Sequence, residues 1–250
     1  MNIVHTGIFF NGIISFIVGI TAVALALFSL RRWWSLSSTM RAYAWFWLTT
    51  TLVWLPTSLR YFLISSDYTG GAIHTLTILS QAGVAASGPA LLYYLCTHHS
   101  KGKFWAITLT TLSSILGAIA LWVDAQPGGI IIQPATYFSA EIGLNSFSFS
   151  IFLIIIAVIY FLVLRDIGFF YAEYKKRHDQ QFLYEVLYSV AIGVYLLLGS
   201  FEEAGMVSNW PVLVFRSLYV GTFLYVYIVM EKSESIKESY LIDSAATLRQ

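Results

Sequence analysis

Charge is what this sequence has least of. Asp, Glu, Lys and Arg make up 11% of its 250 residues, whereas 58% are hydrophobic. Soluble domains carry about 25% charged residues, so a chain this poor in charge cannot cover a water-facing surface. The mean hydropathy of +0.72 agrees. Cysteine is nearly missing: Cys96 stands alone, which excludes an internal disulfide and a cysteine-based metal cluster. The sequence holds no H-E-x-x-H pair, no G-x-S-x-G elbow and no phosphate-cradling glycine loop. His98 and His99 are adjacent, so on a helix they point about 100° apart and make a poor bidentate metal site. These absences argue against an enzyme, a metal site and a cofactor. A net charge of +1 with no basic patch gives no reason to expect a nucleic-acid partner.

What is present is a set of long apolar runs. A spanning helix needs roughly 20 mostly apolar residues, and seven segments qualify, at about 7–30, 42–64, 73–97, 104–123, 146–170, 183–205 and 211–230. No basic stretch precedes the first run, which reads as a retained helix and not a cleaved signal. The expected fold is an all-α integral membrane protein, a seven-transmembrane helix bundle over residues 1–231, followed by a cytoplasmic helical tail, 232–250.

Orientation follows from lysine and arginine. Arg31, Arg32 and Arg41, then Lys101 and Lys103, then Arg165, Lys175, Lys176 and Arg177, and finally Lys232, Lys237 and Arg249 fall on one side of a seven-span chain. The opposite loops contain neither residue type. This predicts the N-terminus outside and the C-terminus in the cytoplasm. Trp33, Trp34 and Trp105 on one side, and Trp122 and Trp210 on the other, fit two aromatic belts. No lysine lies inside a span, which removes the amine that would hold retinal as a Schiff base.

Two arginines break the loop pattern. Arg60 and Arg216 both fall in the outer halves of spans, in the layer that also holds Asp67, Asp124, Glu141, Glu202 and Glu203. Ionisable groups in spans are costly and usually face the bundle interior or a wet cavity. Glu202 precedes the turn Ser208-Asn209-Trp210-Pro211 and Arg216 follows it at matching depth, so the two are expected to pair in one network, with Arg60 as a candidate third member and Glu203 peripheral. Two readings stay open for this layer: interfacial charges snorkelling to water, or a ligand or ion site. For the second, the candidate ligand-binding residues are Arg60, Glu202, Arg216, Tyr219, His74 and Gln81. Tyr219 lies with Phe215 and Phe223 on a stripe beside Arg216. Gln81 is polar and within the third span, and His74 is an outer histidine that can meet His5.

The third span carries small residues at 82, 83, 86, 87 and 90, which let backbones approach closely and predict a central position. Pro89 should free the carbonyl near Ala85 and kink the helix. The 124–145 segment has turn signals at Pro127-Gly128-Gly129 and Gln133-Pro134 flanking an apolar run, as in a short hairpin or lid.

This layout resembles the seven-helix sensor regions found ahead of bacterial histidine kinases. The shared points are the orientation, the polar helical exit after the last span, and a third span ending "SGPALLYYLCTHHSKGKFW". The resemblance covers the architecture of residues 1–231; no kinase follows. It implies a sensor of a bacterial cytoplasmic membrane; with the outer cluster of ionisable residues and the helical exit, the expectation is a non-enzymatic, receptor-like module that binds a small ligand or a partner in its outer half. The signal would pass through the last helix to a cytoplasmic signalling protein or membrane partner. A small-solute or ion transporter and an accessory subunit of a membrane complex are the alternatives. Mid-span polarity is limited to Ser80, Gln81, Ser189 and scattered Thr or Tyr, which disfavours transport.

Overall fold

The computed structural model describes residues 3–31, 37–98, 103–132, 135–140, 142–203 and 207–247; for 3–5, 131–132, 142, 203 and 233–247 it describes the backbone alone. Among these residues the chain forms α1 (Ile3–Leu30), α2 (Ser38–Ser65), α3 (Ala72–His98), α4 (Lys103–Ala125), α5 (Ser146–Arg177), α6 (Gln180–Glu203) and α7 (Trp210–Thr247), with strands β1 (Ile130–Ile132) and β2 (Ile142–Leu144) between α4 and α5. Each expected apolar run lies within or largely within one of these helices.

The helices begin and end where local chemistry allows. Ser37 caps α2 by accepting the Met40 amide. Lys175, Lys176 and Arg177 fill the last turn of α5, where cations suit the negative end of the helix dipole. His178 then turns left-handed (φ 52°), and the Asp179 carboxylate accepts the Gln181 amide at 2.9 Å to start α6. α5 is therefore seven residues longer than expected, and Lys175, Lys176 and Arg177 lie on this helix and not in a loop. At the other end Asn209, also left-handed (φ 61°), precedes α7, whose first turn holds Pro211, a position that needs no amide donor.

Helices adjacent in sequence are adjacent in space, and α7 closes the ring against α1. α3 also meets α5, which pushes α4 to the outside. Phe104, Ile107, Ile115 and Trp122 are accordingly exposed on α4. Gly83 is what lets α3 sit tight on α2: a Cβ there would be 2.7 Å from the Val53 amide nitrogen. Of the other small residues, Ser87 and Gly88 face the cavity described below, while Ala86 is exposed. α3 continues as one helix through Pro89. The Ala85 carbonyl, which Pro89 leaves without its helical donor, faces α4 at Gly117, where a Cβ would lie 3.1 Å away.

Six of the helices are long and apolar enough to cross a membrane: α1, α3, α4, α5, α6 and α7. α2 falls short by composition because it carries Thr49, Thr50, Thr51, Thr57, Ser58 and Arg60. All six side chains are buried, and the threonine hydroxyls donate to carbonyls one turn back, as Thr50 does to Phe46 at 2.8 Å. The exposed stripe of α2 is Trp45, Leu52 and Leu59, spaced by seven. Its polarity faces inward and its outer face is apolar.

β1 and β2 pair antiparallel, Ile130 opposite Leu144, so the 124–145 segment is a hairpin. Its tip reaches across this end of the bundle. Asn11 of α1 donates to the Phe138 carbonyl at 2.7 Å, and the Asn209 amide donates to the Ser139 hydroxyl at 3.1 Å. Below, this is the hairpin end; the end with the α5–α6 turn is the basic end. Trp122 and Trp210 are exposed at the hairpin end and Trp105 at the basic end; Trp33 and Trp34 lie outside the described residues.

Candidate functional site

A cavity of about 140 Å³ opens among α2, α3, α5, α6 and α7, in the half of the bundle toward the hairpin end. Its wall changes character along the bundle axis. Near the hairpin end it is polar: Thr57 and Arg60 from α2, Ser80 and Gln81 from α3, Glu202 from α6 and Arg216 from α7. Toward the basic end it is apolar, with Phe46, Leu91, Ile155 and Ile159.

Arg216 is the structural centre of the polar end. It is 2% exposed. One guanidinium nitrogen donates to the Ser15 hydroxyl at 2.7 Å. The other donates to the Tyr61 hydroxyl at 3.2 Å and to Glu202 Oε1. The charge also lies over the rings of Trp54 and Tyr61, at 5.0 and 5.1 Å. Glu202 is held from its other side as well, since Tyr219 donates to Oε2 at 3.0 Å. Four helices, α1, α2, α6 and α7, are thus tied through one side chain. Removing one partner of such a buried pair costs about 3–5 kcal/mol, because the survivor is left uncompensated.

Arg60 does not join this network as its third member. It is 4% exposed, and its Nε is buried without a hydrogen-bond partner. Among the described residues no carboxylate comes within ion-pair distance, and its charge is met by the Tyr61 ring at 5.2 Å. Gln81 is equally buried, with Oε1 unpartnered, and the Trp54 indole N–H is unpartnered too. The Ser80 and Thr57 hydroxyls lie 2.9 Å apart, and each is also within donating distance of the Val53 carbonyl.

Five of the six candidate ligand-binding residues, Arg60, Gln81, Glu202, Arg216 and Tyr219, therefore share one cavity wall. His74 does not. It is exposed in the first turn of α3, because the inward face there belongs to Ile73 and Thr77, so its candidacy is withdrawn; the His5 side chain lies outside the described residues. Asp67 is exposed on the α2–α3 connection. Asp124 is buried under the turn at Gly129 and off the cavity wall. Glu141 and the Glu203 side chain lie outside the described residues. Sequence reasoning did not find Ser15, Tyr61 and Trp54. Ser15 is 201 positions from Arg216 and Tyr61 is 155, and nothing local signals such pairings, although Tyr61 directly follows Arg60.

A second polar cluster sits at the basic end. Asp166 binds Arg165 at 2.7 Å, and Arg165 also donates to the Leu95 carbonyl at 2.8 Å. His98 lies 3.5 Å from Glu185 and stacks on Tyr94 at 4.8 Å. Tyr94 and Tyr188 in turn pack on Tyr43, at 5.1 and 5.5 Å. Tyr43 donates to the Met230 sulfur of α7 at 2.9 Å. Among the described residues no three His, Cys, Asp or Glu side chains form a metal-binding group.

The fold and its apolar helices define the class: a helical, multi-pass membrane protein. Compared with protein-family models, with curated proteins and with solved structures, the chain matches none.

Proposed function

We propose that this protein is a non-enzymatic, seven-span sensor module of a bacterial cytoplasmic membrane, with its N-terminus outside and its C-terminus inside. It binds a small ligand in the cavity near its outer end and passes the change through α7. The observation that carries this reading is a shared helix: α7 supplies Arg216 and Tyr219 to the cavity wall and runs without a break from Trp210 to Thr247. Its 38 residues span about 57 Å, against a hydrocarbon core of about 30 Å. A ligand that shifts the outer part of α7 therefore shifts the emerging part too. The inward polarity of α2 supports counting it as a span, which puts all the lysine-rich connections on one side.

The test uses Gly199, which lines the cavity where a Cβ would meet only the Tyr219 hydroxyl, at 3.9 Å. Gly199→Leu should fill the cavity and leave the fold intact. In nanodiscs, a library of small solutes is screened by thermal shift against both proteins. The reading expects solutes that stabilise the natural chain and not the variant. It fails if no solute separates them, or if a stabilising solute is carried across proteoliposomes, which would make the protein a transporter.

A further inference from the structure

We propose that the cavity is a receptor site for a slim monocarboxylate, with Arg60 as the group that takes the carboxylate; this rests on the ligand-binding reading above. Two arginines reach the same space, and only one is available. Glu202 cancels Arg216 and holds it together with Ser15 and Tyr61. That leaves Arg60 as the surplus positive charge on the described wall, with its Nε buried and unpartnered. A guanidinium removed from water and left without an anion is unfavourable, and its planar fork matches a carboxylate. Two further polar groups on the same wall lack partners, Gln81 Oε1 and the Trp54 indole N–H. The indole can donate to a second carboxylate oxygen. Gln81, once its amide is turned, can donate to the same anion or to a bridging water.

The rest of the wall sets the body of the ligand. From Arg60 to Phe46 along α2 is about 21 Å, and the lining turns apolar along that length, with Leu91, Ile155 and Ile159 opposite. The volume of about 140 Å³ is close to that of a cavity known to hold one benzene ring, about 150 Å³. A single short alkyl tail fits, and a two-chain lipid does not. The match is an anionic head at the hairpin end with a slim apolar tail pointing to the middle of the bundle.

Octanoate, octanol and octylamine, which share a tail and differ in charge, test this by calorimetry on the whole protein in phosphatidylcholine nanodiscs at neutral pH. Octanoate should bind about tenfold or more tighter than octanol, the scale of one charge-assisted hydrogen bond, and octylamine weakest. Arg60→Met should remove the preference of octanoate over octanol and leave octanol binding in place. Arg60→Lys should keep a reduced preference. If octanol equals octanoate in the natural chain, the cavity binds ligands but Arg60 is no anion receptor, and this inference falls while the sensor reading stands. If none of the three binds, yet the Gly199→Leu screen still finds a ligand, the monocarboxylate assignment alone is wrong. If that screen is silent too, both fall. Displacement of octanoate by added phosphatidylglycerol would overturn the size argument and give the site to a lipid.

Discussion

At the hairpin end Glu202 meets Arg216 beside a cavity; at the basic end Asp166 meets Arg165 away from it. Both pairs sit low in an apolar bundle, and both are helped by neighbours. They differ in their escape routes and in their surplus. Arg165 is 32% exposed while Asp166 is 1% exposed, so this cation can reach water if its partner is lost. Arg216 cannot. The cavity wall also holds a second cation, Arg60, which has no carboxylate within ion-pair distance among the described residues. A buried pair ties helices together; a buried charge left over marks a place for something from outside. Composition alone does not separate the two, since each end contributes an arginine and a carboxylate.

Breaking the hairpin-end pair should give the largest effect. Arg216→Ala strands Glu202 and cuts the tie among four helices, and should lower stability by about 3–5 kcal/mol, read as an earlier unfolding transition in nanodiscs. The second effect has the opposite sign. Arg60→Met removes a buried charge that has no anion among the described residues and keeps most of the apolar stem. It should raise stability by about 1–3 kcal/mol in the absence of ligand. A loss comparable to that of Arg216→Ala would put Arg60 in the structural network and erase the contrast. Asp166→Asn should cost less than Arg216→Ala, about 1–2 kcal/mol, since Arg165 keeps the Leu95 carbonyl and some water. If it costs as much, the two ends are equivalent and exposure of the cation is not what separates them.

The apolar runs made the helices legible, because a bilayer demands long uninterrupted stretches. α2 shows the limit. Its threonines and Arg60 lower its hydropathy, yet all of them turn inward; only the spacing of Trp45, Leu52 and Leu59 hints at the lipid face. The Glu202 and Arg216 pair was legible because a short antiparallel turn matches their depths. The different standing of Arg60 was not, since it depends on which carboxylates fail to reach it. Ser15 and Tyr61 were hidden for a related reason: they come to Arg216 from helices far away in sequence. His74 misled because an outer histidine at a helix start faces either way, and one residue of rotation decides. The basic-end cluster was missed altogether. Asp166 lies inside an apolar run beside Arg165, which was counted only toward orientation, and α5 continues well past the expected boundary.

The most direct test is a density map of the protein isolated in native membrane nanodiscs, at a resolution that shows side chains. The account predicts density not belonging to the chain within hydrogen-bond distance of the Arg60 guanidinium, trailing toward Phe46, while Arg216 stays on Glu202. A collapsed cavity with Arg60 turned onto Glu202 would contradict it.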